Sequence, residues 1–406
     1  MQRVVVTGRG VISPIGRGVA AFASALSAGA VGIARLDGMP PGSLASLIGA
    51  RVRDFDAATD GGTDDAHADR ATQFALAAAR QALAESGLDG GDGLRGTRAA
   101  AIVGTGCGCI ETLDKSYATY TANKARRLHP LTVPRIMPNA PAAHISMACG
   151  ITGPAFAVSS ACASAAYAMT IGANMIRHGQ ADVVVVGGAE ACFAEGNLKA
   201  WEALRVLAPD TCRPFSRDRR GLVLGEGAAM FVFESIAHAA ARDAEIYGEI
   251  TGCAFNSDAH HILSPSLDGQ VAAIRACLHD AGVAHDEIGY INAHGTATAA
   301  NDATESRAIR AVFGDEAGRL RVSSTKSMHG HALGASGALE LLATLVGLQQ
   351  GFAPPTMNYT EPDPDCDDLN YVPNEAQQLR CKSALSHSFA FGGHNAVLAV
   401  RAAAYV

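Results

Sequence analysis

One short phrase occurs twice in the chain, ending once in a thiol and once in an amine. Val158-Ser-Ser-Ala-Cys162 returns as Val322-Ser-Ser-Thr-Lys326, and Ala/Gly-rich helical sequence follows each copy. The surrounding order repeats too: QALAESGL precedes the strand-like AAAIVGTGCG, as RACLHDAGV precedes EIGYINAHGTA. Such self-similarity predicts two related halves. It places Cys162 and Lys326 at equivalent strand-to-helix turns beside a pseudo-twofold axis. The seam is expected near 242–249, giving halves 1–245 and 246–406.

Local patterning sets the fold class. β-Branched runs at 2–7, 99–105, 182–187 and 289–293 read as buried strands. Between them lie Ala-rich helical stretches, 71–86 closed by Gly87 and 164–178 closed by Gly179. This alternation implies an α/β fold with largely parallel, covered sheets. Residues 54–69, rich in Asp, Gly and Ala, read as a surface loop.

Composition excludes several classes. The chain has 406 residues and a net charge of −7, from 32 Lys+Arg against 39 Asp+Glu. A nucleic-acid binder normally carries a basic excess, so no nucleic-acid partner is expected. No apolar run is long enough to span a membrane, and Met1-Gln-Arg-Val-Val-Val opens on strand-like sequence without a signal core; a cytoplasmic location is expected. The 10 cysteines form no CxxC pair or Cys/His ladder. His329 and His331 lack further ligands at metal spacing, so no metal is expected.

Four stretches carry residues suited to chemistry. Cys162 sits where an apolar strand meets a small-residue turn and a helix begins. A helix N-terminus favours a thiolate there, although a buried cysteine is the plainer reading. His294 ends a strand and precedes Thr296 and Thr298. Such a histidine either donates to a developing oxyanion or is a satisfied loop residue. Lys326 lies in an apolar, glycine-rich turn and needs a partner, for which Glu340 is the candidate. Phe389-Ala-Phe-Gly-Gly393 reads as a flexible loop whose N–H groups can serve as an oxyanion hole, with a phenylalanine as a movable plug; an ordinary glycine turn is the alternative.

Taken together, six ordered motifs spread over nearly the whole chain resemble the β-ketoacyl-[acyl carrier protein] synthases of the thiolase fold, synthase II in particular. They are VVVTGRGVISPIG, SSACASA, RPFSRDRRGLVLGEGAAMFVFE, AHGTATAAND, STKSMHGHALGASGALE and SFAFGGHNAVL. The resemblance implies a layered α-β-α-β-α body of two duplicated halves. It implies decarboxylative Claisen condensation of an acyl thioester on Cys162 with malonyl-[acyl carrier protein], in fatty-acid or polyketide/polyene elongation. Cys162 matches the nucleophile, His294 and His331 the malonyl-activating pair, and Lys326 the residue that orders them. The N–H groups of Cys162 and Phe391 match the oxyanion hole, with Phe391 also the gate. Thr296 and Thr298 match the hydroxyls that bind phosphopantetheine, an arm that arrives on the carrier protein, so no bound cofactor is implied.

Some positions depart from the family pattern. His329 stands where Thr or Ile is common, and FAFGG replaces FGFGG. Cys107 and Thr132 fall where synthase II has larger residues at the end of the acyl pocket, which implies a differently shaped pocket and a specialised product. Two rivals share the fold. A coenzyme A-dependent thiolase is disfavoured by the lysine–histidine turn. A non-catalytic chain-length partner lacks the nucleophile that is present here. The implied partners are an acyl carrier protein, met by an arginine patch drawn from Arg70, Lys124, Arg126 and Arg127, and a second copy or a chain-length partner.

Overall fold

The computed structural model describes residues 1–37, 46, 48–60, 68–90, 94–123, 127–366 and 369–406, without the side chain of residue 123. In chain order the main elements are β1 (Val4–Ser13), α1 (Arg70–Ser86), β2 (Ala99–Gly104), α2 (Ala140–Cys149), β3 (Ala155–Val158), α3 (Ser164–Arg177), β4 (Val183–Glu190), α4 (Glu195–Ala203) and β5 (Gly227–Ser235). There follow β6 (Gly248–Ser257), α5 (Leu267–Ala281), β7 (Ile288–Asn292), α6 (Ala299–Phe313), β8 (Arg321–Ser323), α7 (Ser336–Gln350), β9 (Ser383–Ala390) and β10 (His394–Ala402).

The strands join in one 11-stranded sheet in the order β8-β7-β9-β10-β6-β1-β5-β4-β2-β3, with the short strand Gly16–Arg17 on the flank of β1. Its centre is the antiparallel pairing of β1 with β6, Val4 beside Ile250 and Val6 beside Gly248. Outward from that junction both sides use the same partners. The next strands, β5 and β10, are antiparallel to the central pair and to their outer neighbours β4 and β9. Then β2 and β7 run parallel to β4 and β9, and β3 and β8 parallel to β2 and β7. Cys162 therefore follows β3 as Lys326 follows β8.

Burial alternates along the strands and defines the layers. Val183 and Val185 pack into a cluster under α1, whereas Val184 and Val186 face a middle cluster. On the other side Leu398 and Val400 share that middle cluster, while Val397 and Ala399 turn to a third under α5 and α6. Helices α3 and α7 supply the middle layer, and both touch strands of both halves. Their small apolar residues suit a helix covered on all sides.

Three local expectations are corrected. β1 runs on through Gly8 and Gly10, which look like strand breakers. A Cβ at either position would meet the Ala82 or Ala78 carbonyl oxygen at 2.0 or 1.9 Å, so the glycines let α1 lie directly on the strand. The loop expected over 54–69 lies partly outside the described residues at 61–67, and its last residue is core. Asp69 is buried and accepts from the N–H groups of Ala71 at 2.9 Å and Thr112 at 2.8 Å, capping α1. Phe389 and Ala390 belong to β9, and only the Phe391–Gly393 hairpin turn separates them from β10.

Candidate active site

The turn after β3 is built for close approach. Ala161 adopts a left-handed φ of 47°, a conformation that nonglycine residues hold only when their surroundings enforce it. Ser164 enforces it: its hydroxyl donates to the Ala161 carbonyl at 2.6 Å and accepts the Ser160 N–H at 2.8 Å. Cys162 is thereby held just before α3, 6% exposed, with the backbone N–H of Phe391 near its sulfur.

The second half contributes Lys326, His294 and His331. Lys326 is fully buried, and its Nζ meets three acceptors: Glu340, the His294 carbonyl at 2.5 Å and His294 Nδ1 at 3.3 Å. An ammonium has three N–H groups, so all are used. Because Nζ donates to His294 Nδ1, the ring proton of His294 sits on Nε2. His331 is set the same way. Its Nδ1 accepts the Leu333 N–H at 3.2 Å and lies 2.8 Å from the Ser336 hydroxyl, which again leaves Nε2 as the donor. The rings cross at 84° with centroids 5.5 Å apart. Burial, then the charge of Lys326, holds both imidazoles well below the ordinary histidine range, so both are neutral donors.

Several supporting residues escape a reading of sequence motifs. Glu305 on α6 accepts the N–H groups of His294 and Gly295, each at 2.8 Å. Asp302, one turn earlier, accepts from Ala297 and Phe215 at 3.2 and 2.8 Å. The only hint was the acidic start of the helix after AHGTAT. Residues 223–225 of the GLVLG segment hold the His331 backbone on both sides, through His331 N–H to Val223 at 2.7 Å and Gly225 N–H to His331 at 2.9 Å.

Glu190, at the end of β4, clamps the two halves. It accepts from Gly106, Cys107 and Gly334 at 2.7, 3.0 and 2.9 Å, and from Thr105 at 3.2 Å. A Cβ on Gly334 would lie 2.1 Å from the Gly106 nitrogen, so the two loops cross in contact above this carboxyl. Burial raises Glu190 to about 7 despite these donors.

One cavity gathers Cys162, His294, His331, Thr296, Thr298 and Phe391. The Thr296 and Thr298 hydroxyls lie 2.8 Å apart. Cys107 packs against the apolar cluster that holds Cys162, Leu36, Phe193 and Leu198. Thr132 is elsewhere: it bonds the His129 carbonyl at 2.7 Å and lines a polar cavity with Arg51, Glu111 and Arg135. The chain alone does not bring Thr132 to Cys162. Arg70 is also corrected, because its guanidinium neutralises the buried Glu226 at 2.8 Å and reaches the Val52 carbonyl at 2.7 Å. Lys124 and Arg126 lie outside the described residues, while Arg127 is exposed. His329 is buried, with its nitrogens at the Gly330 carbonyl and the Thr325 hydroxyl. Among the described residues no cluster of His, Cys, Asp and Glu is arranged to hold a metal.

The expected thiolate is corrected as well. Burial pushes the Cys162 thiol up to about 12, against the pull of Lys326, and Glu190 adds to the rise. Loss of hydration is the largest influence on this thiol and disfavours the thiolate, so the proton leaves as the sulfur reacts. Alkylation of Cys162 should therefore keep rising about tenfold per pH unit to at least roughly pH 9. Peptide mass spectrometry after iodoacetamide pulses would measure this, and a plateau near neutrality would show a stabilised thiolate.

Comparison with known proteins agrees with the geometry. Residues 1–239 match the model of the beta-ketoacyl synthase N-terminal domain, and residues 247–360 that of the beta-ketoacyl synthase C-terminal domain. The chain is 46% identical to nodulation protein E of Rhizobium sp. (strain N33) over 400 residues, 98% of this chain and 99% of that protein. It is 38% identical to 3-oxoacyl-[acyl-carrier-protein] synthase 2 of Coxiella burnetii over 409 residues, 98% of each. Among solved structures, the ishigamide ketosynthase/chain length factor superposes with a TM-score of 0.94 at 37% identity, covering 99% of both chains. With a thiol, two neutral imidazoles and a buried lysine around one cavity on this fold, the chain belongs to the beta-ketoacyl synthase family of acyltransferases.

Proposed function

We propose that Cys162 carries the acyl group and that His294 and His331 activate a malonyl thioester. The supporting observation is the two sets of donors in one cavity: two Nε2–H groups on one side and the Phe391 N–H at the sulfur on the other. Cys162 attacks the acyl thioester; its S–C bond forms as the bond to the incoming pantetheine sulfur breaks, and that sulfur leaves with the thiol's proton. The malonyl group then loses CO₂. The electron pair of the broken C–C bond stays as an enolate, whose oxygen the imidazoles hold. The α-carbon attacks the acyl carbonyl, whose oxyanion rests on the N–H groups of Cys162 and Phe391. Collapse expels the Cys162 sulfur, which regains a proton. Lys326 keeps both imidazoles neutral and His294 in its donor tautomer.

The substrates come on an acyl carrier protein, as the name of the Coxiella relative has it, with the phosphopantetheine arm passing the Thr296 and Thr298 hydroxyls. The protein then needs no cofactor of its own, and Arg127 is an exposed cation for an acidic carrier. The product is a specialised chain rather than the housekeeping one. Supporting this are the higher identity to nodulation protein E and the pocket floor at Cys107, where Asn197 Oδ1 lies 4.0 Å from the thiol.

A second copy completes the enzyme. β3 is one of the two end strands of the sheet. Against it packs α2, which touches the helix Thr132–Ile136, and that helix touches the helix Ile110–Asn123; the three expose Tyr117, Tyr120, Val133 and Met147, the last 72% exposed. Such a face calls for a partner. Thr132 is buried at the start of the helix Thr132–Ile136 beside this face, so a pocket role for it needs the other subunit. The likeness to a ketosynthase/chain length factor supports a heterodimer as the second reading.

Each of these roles has its own test. Mixed with acyl carrier protein, wild type should gain the acyl mass and Cys162→Ala should not. His331→Ala should still acylate but decarboxylate malonyl thioester about 100-fold more slowly, and Arg127→Glu should slow acylation from the carrier while sparing a pantetheine thioester. Cys107→Ile should shift the accepted chains toward shorter ones in a competition profile; an unaltered profile would remove Cys107 from the pocket. Met147→Glu should halve the particle mass in sedimentation if the exposed face is the subunit interface.

A further inference from the structure

The chain has a single tryptophan, and it lies against the gate. Trp201 stacks on the Phe391 ring with centroids 6.0 Å apart and planes inclined by 22°. Both rings line the cavity of Cys162. Phe391 thus has two attachments: its N–H meets the Cys162 sulfur, and its ring meets Trp201. Next to it, Gly392 and Gly393 take φ of 82° and 69° and form the turn on which the phenylalanine swings. Without the indole Phe391 has no ring to close against, so its N–H is no longer held at the oxyanion hole once the extender is in place.

Trp201 belongs to α4, a helix with one inward face. Asn197, Leu198 and Trp201 share that face, whereas Glu195, Gly196, Lys199, Ala200 and Ala203 are exposed. Asn197 bonds the Cys192 carbonyl at 2.7 Å and faces Cys107. Leu198 packs in the cluster that contains Cys162. One face of one short helix therefore touches the acyl-pocket floor, the surroundings of the nucleophile and the gate in turn. An acyl chain that enters beside Cys107 pushes on Asn197 and Leu198, one turn before Trp201.

We propose that Trp201 is a positioning residue that latches Phe391 closed, and that α4 transmits the filling of the acyl pocket to this latch. The proposal rests on the ketosynthase reading of the site. It makes the gate responsive to the chain loaded on Cys162: a chain that reaches Cys107 loosens the latch and admits the extender, whereas a short one leaves it shut. The specificity-determining contact then lies outside the reacting atoms.

The sole indole is its own reporter. Wild-type enzyme would be acylated with pantetheine thioesters of increasing chain length, with intact mass confirming the load and emission recorded in parallel. A spectral shift should accompany chains long enough to pass Cys107 and be absent with acetyl. Trp201→Ala should lower condensation kcat about tenfold with KM changed less than about twofold, and should flatten the preference among chain lengths. Trp201→Phe, which keeps a ring against Phe391, should restore most of kcat and the preference. Full acylation with no chain-dependent shift, or Trp201→Ala turning over within about twofold of wild type with its preference intact, would overturn the latch and leave the ketosynthase reading standing. Failure of wild-type Cys162 to acylate would overturn that reading and the latch with it.

Discussion

The structure turns on a lysine with no access to water. Lys326 is fully buried, and its charge is tolerated because Glu340, equally buried, lies against it and His294 takes the remaining N–H groups. Removing one partner from such a pair costs about 3–5 kcal/mol, whereas forming it adds little net stability. The pair is therefore a device for setting protonation and orientation. Within it Lys326, after burial, depresses the basicity of both imidazoles, sets His294 with its proton on Nε2 and pulls the Cys162 thiol downward, while Glu340 opposes that last effect.

That arrangement requires residues from both halves to meet within hydrogen-bonding distances, and the duplicated sheet supplies the meeting point. The carboxyl ends of β2, β3, β4, β7, β8 and β9 point to one place, where α/β sheets commonly build sites. Glu190 then fixes the relative placement by binding Gly106 and Cys107 from the first half and Gly334 from the second. Positive φ values at Ala161, Ala297 and Leu333, one in each catalytic turn, show where backbone comfort is given up for placement.

Much of this was legible before any coordinates. The strand and helix periodicities located β2, α1, α3, β4 and β7 to within a few residues, because buried strands and capped helices leave local marks. Cys162, His294 and Lys326 stood out because each lies just after a strand among small residues, and His331 through the motif that carries the family resemblance. Glu340 was legible because an apolar turn cannot hold a lone ammonium. The strand expected over 2–7 runs on to Ser13 because Gly8 and Gly10 admit the close approach of α1, and the loop expected over 389–393 begins as strand at Phe389 and Ala390. Arg70 looked like surface charge because nothing local announces its bond to Glu226, more than a hundred residues away.

The order of residues by itself determined the α/β class, the repeat of the strand-to-helix turn and the identity of the chemical groups, since these depend on neighbours within a few positions. Only the tertiary structure decided their state. That Cys162 rests as a thiol, that both histidines are neutral Nε2–H donors, that Glu190 spans the halves and that Thr132 stands apart from the cavity all follow from burial and long-range hydrogen bonds. Those depend on which distant segments share a dry interior, and the folded sheet alone brings them together.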